Sequence, residues 1–236
     1  ATRKINLKKP DINHNKVMYL RGKNKHLGFS LIEIIVATAI SVFLATIGLL
    51  VINPVQLLNE RRDATRIDDV KTIDKTVDLY ANLVNSNLGV PNTVYVSIPD
   101  TSATCSNLGL PQLPSGWSYS CKTSANYRKV DGTGWLPINF SALGSNPTFK
   151  TLPIDPTNDK NSHLYYTFIS SGNGDWEINT GLESKKYKLT GANDKTGFDG
   201  GDTPNLFETG NSSTLVPGGG LTAYWSFEDG AGSSTK

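Results

Sequence analysis

The sequence predicts an α+β chain in which a long N-terminal helix packs on a small antiparallel β-sheet head. Three observations predict it. Residues 29–52 form an almost wholly apolar run. The stretch after it repeats apolar side chains every three or four residues as far as Leu88. From Val90 onward Pro, Gly, Ser, Thr and Asn dominate, broken by short β-rich runs.

Residues 1–28 read as a basic leader. They hold eight Lys and Arg against Asp11, a net of +7 in a chain of +2, which leaves the remainder at −5. The basic pI thus describes the leader alone. The body has no basic aromatic stripe, and nucleic acid is not an expected partner. Met18 opens "MYLRGKNKHLG" and is an expected alternative start, with residues 1–17 upstream of it. The final "GAGSSTK" closes no element, so the chain is expected to continue past Lys236.

The apolar run, 29–52, is expected to span a membrane. As a helix its 24 residues rise about 36 Å, enough for a hydrocarbon core of about 30 Å. A cleaved secretory signal would have a shorter core with its small residues after it. Here Gly28 comes before the run. A plain anchor with a basic cytoplasmic flank explains length and orientation, N-terminus inside and C-terminus outside. It does not explain Glu33, because a carboxylate within such a segment costs a few kcal/mol unless it is paired or reaches the interface.

The stretch "KNKHLGFSLIEIIVATAI" resembles the N-terminal signature of type IV pilins and type II secretion pseudopilins. The resemblance implies cleavage by a prepilin peptidase between Gly28 and Phe29 and N-methylation of Phe29. Glu33 is the fifth residue after that cut. The family pattern implies that its carboxylate pairs with the new Phe29 amine, mostly of a neighbouring subunit. Two costly charges would then neutralise each other and set the axial register of packed helices. Implied partners are other pilin subunits, the prepilin peptidase, an inner-membrane assembly platform, and membrane lipid before assembly. The architecture implied is one long helix, half stalk and half embedded in the head.

That helix is expected over 29–88, kinked at Pro54. Its apolar stripe is Leu57, Ala64, Ile67, Val70, Ile73, Val77, Tyr80, Val84 and Leu88. The other face carries Glu60, Arg61, Arg62, Asp63, Arg66, Asp68, Asp69, Lys71, Asp74, Lys75 and Asp78. It reads as solvated, with pairing between subunits as the alternative. Asn87 to Gly89 supplies the stop signal.

The head is expected over 89–207, with strands at 93–98, 116–121, 135–140, 163–170, 175–182 and 185–190. "SSGNGD" reads as a hairpin turn before Trp176. Cys105 and Cys121 are the only cysteines. The predicted orientation puts them outside the membrane, where a disulfide is permitted. Two free thiols are the alternative. With His14, His26 and His163 scattered, they make no zinc cluster. "LPIDPTNDKNSHLYYTF" and "WEINTGLESKKYKL" also resemble pseudopilin heads, some of which bind calcium in a final acidic loop. The candidate Ca2+ ligands here are Asp194, Asp199 and Asp202, against the alternative that such loops are only turns.

Residues 208–220 read as a flexible linker. "LTAYWSFEDGAGSSTK" over 221–236 resembles the opening strand of laminin-G/concanavalin-like domains, against the alternative of a disordered end. The sequence contains no nucleophile elbow, P-loop or dinucleotide-binding glycines, so an enzyme is not expected. The expected function is a structural subunit of a type IV pilus-like or secretion filament. The alternative is a membrane-anchored surface adhesin whose binding domain lies mostly beyond residue 236. A tethered enzyme with its chemistry in that missing part is a third reading.

Overall fold

A computed structural model of the chain describes residues 28–144 and 148–215. The leader at 1–27, with Met18, His14 and His26, lies outside the described residues. So does everything from 216 on, including the resemblance at 221–236. The chain divides into two compact units, Ala1–Val51 and Ile52–Lys236.

The described part of the first unit is built on helix α1, Leu31–Ile52. It is apolar on all sides, as expected of a helix that meets lipid or other apolar surface all round. Leu31–Gly48 is long and apolar enough to cross a membrane, and none of it is buried within the protein. Its three hydroxyls are satisfied internally. Thr38 donates to the Ile35 carbonyl at 2.9 Å, Ser41 to Ala37 at 2.8 Å and Thr46 to Val42 at 2.8 Å. In a medium without water this removes three desolvation costs.

The expected single helix is two. Helix α2 runs Pro54–Leu83, and Asn53 precedes it in the left-handed region at φ 44°. Proline disfavours a helical residue before it, and Asn tolerates positive φ better than most. Asn53 then caps α2: its Oδ1 accepts from the Gln56 amide at 3.3 Å. Pro54 sits in the first turn, where the missing N–H costs nothing. The helix stops at Leu83, short of the Gly89 signal, with Val84 donating back to the Tyr80 carbonyl.

The second unit's sheet has five strands in the order β2-β1-β3-β4-β5. They are β1 (Thr93–Val96), β2 (Ser118–Ser120), β3 (Tyr166–Ser170), β4 (Trp176–Gly181) and β5 (Leu206–Gly210). The sheet is mixed, not purely antiparallel, because β1 and β2 pair in parallel. The long disulfide loop makes that crossover sterically possible. β3 and β4 form the expected hairpin, closed by Ser171 donating to the Asp175 carbonyl.

Two expected strands are absent. Trp135, Leu136, Ile138 and Phe140 are core residues, but they reach the core through irregular backbone and a single bridge, Asp131 to Asn139. Residues 185–190 make successive turns. A fifth strand appears instead at Leu206–Gly210, and the Leu215 amide bonds Glu177. The head therefore extends past 207 into the segment expected to be linker.

Both faces of the sheet are covered. Tyr95, Tyr166, Phe168, Ile178 and Phe207 pack with Val70, Ile73, Val77 and Tyr80 of α2. Val94, Val96 and Ile169 pack under the disulfide loop on the other face. Cys105 and Cys121 are bonded, with Cα atoms 5.3 Å apart. In the chain-entropy account such a loop contributes about 3 kcal/mol.

Candidate functional site

Gly28, Phe29 and Glu33 lie at the start of α1. Gly28 and Phe29 precede the helix in open backbone. Phe29 is 78% exposed, and among the described residues a Cβ at Gly28 would meet nothing within 4 Å. Ser30 occupies the N-cap position and Glu33 the third helical position. The Ser30 amide donates to Glu33 Oε2 at 3.4 Å, and the Glu33 amide donates to the Ser30 carbonyl at 3.0 Å. This is the carboxylate half of a capping box, a Ser-x-x-Glu pattern legible in "SLIE" but not drawn from it above. Within the chain Glu33 thus has a local partner, and its charge lies at the favourable end of the helix dipole.

The charged face of α2 is not simply solvated. Asp63 and Arg66 are fully buried. Arg66 donates to both oxygens of Asp155 (Nε 2.6 Å, Nη2 3.0 Å), to Asp63 at 2.8 Å, to Glu183 at 2.6 Å and to the Thr157 hydroxyl at 3.0 Å. Asp63 also accepts from the amides of Glu183 and Ser184. Arg62 adds a two-pronged bond to Glu183. Burial acts to neutralise Arg66, but its carboxylate partners outweigh it and hold the guanidinium charged. Burial likewise works to raise Glu183, and the Arg62 and Arg66 hydrogen bonds win, leaving it below the ordinary value.

Further along α2, Asp69 accepts from the Tyr166 hydroxyl at 3.0 Å and Asp74 from the Trp176 indole at 2.8 Å. The sequence does carry a signal for this. Asp63 and Arg66 continue the 3-and-4 spacing of Val70, Ile73, Val77 and Tyr80 toward the N-terminus. The expected stripe members Leu57, Ala64 and Val84 are exposed instead. The buried face therefore begins with an ion pair where the sequence reading expected apolar residues. This clamp joins α2 to two loops of the head and fixes structure.

The candidate calcium ligands do not converge. Asp194 is committed to backbone amides: Oδ1 takes Thr196 and Gly197, and Oδ2 takes Thr190. Asp199 accepts from the Gly201 and Glu208 amides. Asp202 meets the Thr203 hydroxyl. No group of three or more His, Cys, Asp or Glu able to hold a metal occurs among the described residues. The turn alternative holds for this loop, because each carboxylate substitutes for a backbone acceptor.

The chain matches no protein-family model, no curated protein and no solved structure.

Proposed function

We propose that this chain is a structural subunit of a type IV pilus-like or secretion filament. It would be inserted as a single-pass precursor, cut after Gly28 by a prepilin peptidase, methylated on Phe29 and polymerised through α1 by an inner-membrane platform. One observation carries the reading: an unburied, membrane-length helix has one carboxylate, in its first turn, directly behind an open Gly28–Phe29 backbone. The anchor role explains the helix. The open peptide and the carboxylate at that offset are what a processed, register-setting subunit needs.

A second reading, a membrane-anchored head or adhesin that never polymerises, is favoured by the Ser30–Glu33 contact, since a helix cap alone accounts for Glu33. The two readings part on Glu33→Gln. In an anchor that never polymerises, Gln still caps the helix by accepting from the Ser30 amide, so membrane abundance should be unchanged and neither protein should yield sheared filaments. As a partner of the Phe29 amine, Gln leaves a charge unpaired. Normal membrane abundance with few or no sheared filaments is then expected. Intact mass and N-terminal sequencing of the mature protein should give a methylated Phe29 as first residue. An uncut precursor as the sole species would overturn the filament reading, and normal filament yield from Glu33→Gln would overturn the pairing of Glu33 with the Phe29 amine.

A further inference from the structure

The head contains a second set of buried charges, independent of the clamp and of filament assembly. Trp176 and Ile178 of β4 face α2, so Glu177 and Asn179 point to the opposite face. Register sets Asn179 directly across from Glu208 on β5, with Cβ atoms about 5 Å apart. Glu177, Asn179 and Glu208 are 0%, 2% and 1% exposed. Glu177 lies near enough for its charge to act on the Glu208 carboxyl. Residues 199–203 and 211–215 close over them: Thr203 donates to Glu208 Oε2 at 2.8 Å and Leu215 to Glu177 Oε2 at 2.6 Å. A Cβ at Gly201 would collide with the Glu208 carboxylate, so only glycine lets the loop lie this close.

Glu208 Oε1 and both polar atoms of the Asn179 carboxamide meet no hydrogen-bond partner among the described residues. No arginine or lysine among those residues forms an ion pair with Glu208. Native proteins rarely bury such groups without a partner. Burial, and next the nearby Glu177, push the Glu208 carboxyl up to about 8, the mark of two acids held together in a dry place.

We propose that Glu177, Asn179 and Glu208 bind one hard divalent cation of calcium's size. Two carboxylates balance its charge, and the Asn179 carboxamide oxygen adds a neutral ligand. All the side-chain ligands offer oxygen for coordination, which excludes the nitrogen and sulfur sites zinc prefers. Calcium suits strand-fixed, irregular geometry with little water, whereas magnesium demands an octahedron and keeps its waters. The site differs from the Asp194–Asp202 loop and consists of two carboxylates and one amide.

The test uses the full chain in detergent, stripped with chelator and titrated with calcium chloride or magnesium chloride. The readouts are thermal unfolding midpoint and calorimetric stoichiometry. One equivalent of calcium is expected to bind with a dissociation constant of about 0.1–1 mM, with a saturable rise in midpoint and a weaker response to magnesium. Glu208→Gln keeps the shape and replaces an acid that burial already holds largely protonated, so it should fold at least as well without metal and lose the calcium response. Asp194→Asn should keep that response. Absence of any calcium response in the wild-type protein would mean that a shared proton alone joins the two acids, and it would overturn the proposal. An equal response in Glu208→Gln, or loss of it in Asp194→Asn, would also overturn it.

Discussion

Arg66 and Glu208 are almost equally buried in the same head, and their surroundings are opposite. Around Arg66, α2 delivers a cation into three carboxylates, from Asp63, Asp155 and Glu183. Around Glu208, β4 delivers a second acid and an amide. The first cluster is balanced by chain residues and locks a helix to loops 89 and 117 residues away in sequence, those of Asp155 and Glu183. The second places like charges together. Burial alone therefore does not say whether a charge stabilises. The neighbouring element does, by the sign it brings.

The largest effect should come from breaking the balanced cluster. Arg66→Met leaves three carboxylates without their common partner and should cost about 3–5 kcal/mol, measured as a shift in the urea midpoint at neutral pH. Next come two matched neutral substitutions of opposite sign. Glu183→Gln takes away the carboxylate shared by Arg62 and Arg66 and should cost about 1.5–3 kcal/mol. Glu208→Gln, measured in chelator, should instead stabilise by roughly 1 kcal/mol, since it spares the cost of burying an acid that is ionised in the unfolded chain. Equal signs for the pair would erase the contrast between the clusters.

Acid sharpens the same contrast. Glu183 lies below its ordinary 4.5 in the folded chain. Its contribution is present above that value and is lost as pH falls through the folded pKa. The acid limb of the stability curve should be shallower in Glu183→Gln than in the wild type. Smallest is Asp69→Asn, at the half-buried edge of the balanced side. Asn still accepts from the Tyr166 hydroxyl, so a loss of about 0.5–1 kcal/mol is expected in the same denaturation assay.

Local pattern made much of this molecule legible. The apolar run made α1, the Gly-rich turn made the β3–β4 hairpin, and the two cysteines found each other. Long-range competition decided the places where the reading differed. "WLPINF" is apolar enough for a strand, yet its side chains serve the core from irregular backbone, and the sheet position went to Leu206–Gly210. Pro54 was expected to kink a helix. Asn53, able to take positive φ and to cap, turned the kink into an end and a beginning.

By itself the sequence determined the membrane-length helix, the Gly28–Phe29 step ahead of Glu33, and an α+β head with a single pair of cysteines. These rest on nearest-neighbour periodicity, chain length and the identity of a few residues. Only the tertiary structure decided that Asp63 and Arg66 face inward and that Glu177 and Glu208 meet. A charged side chain shows its sign in sequence, but its energy depends on which distant element covers it. That choice is made when α2 and the loop around Glu183 close on one side of the sheet, and when the segment up to Leu215 closes on the other.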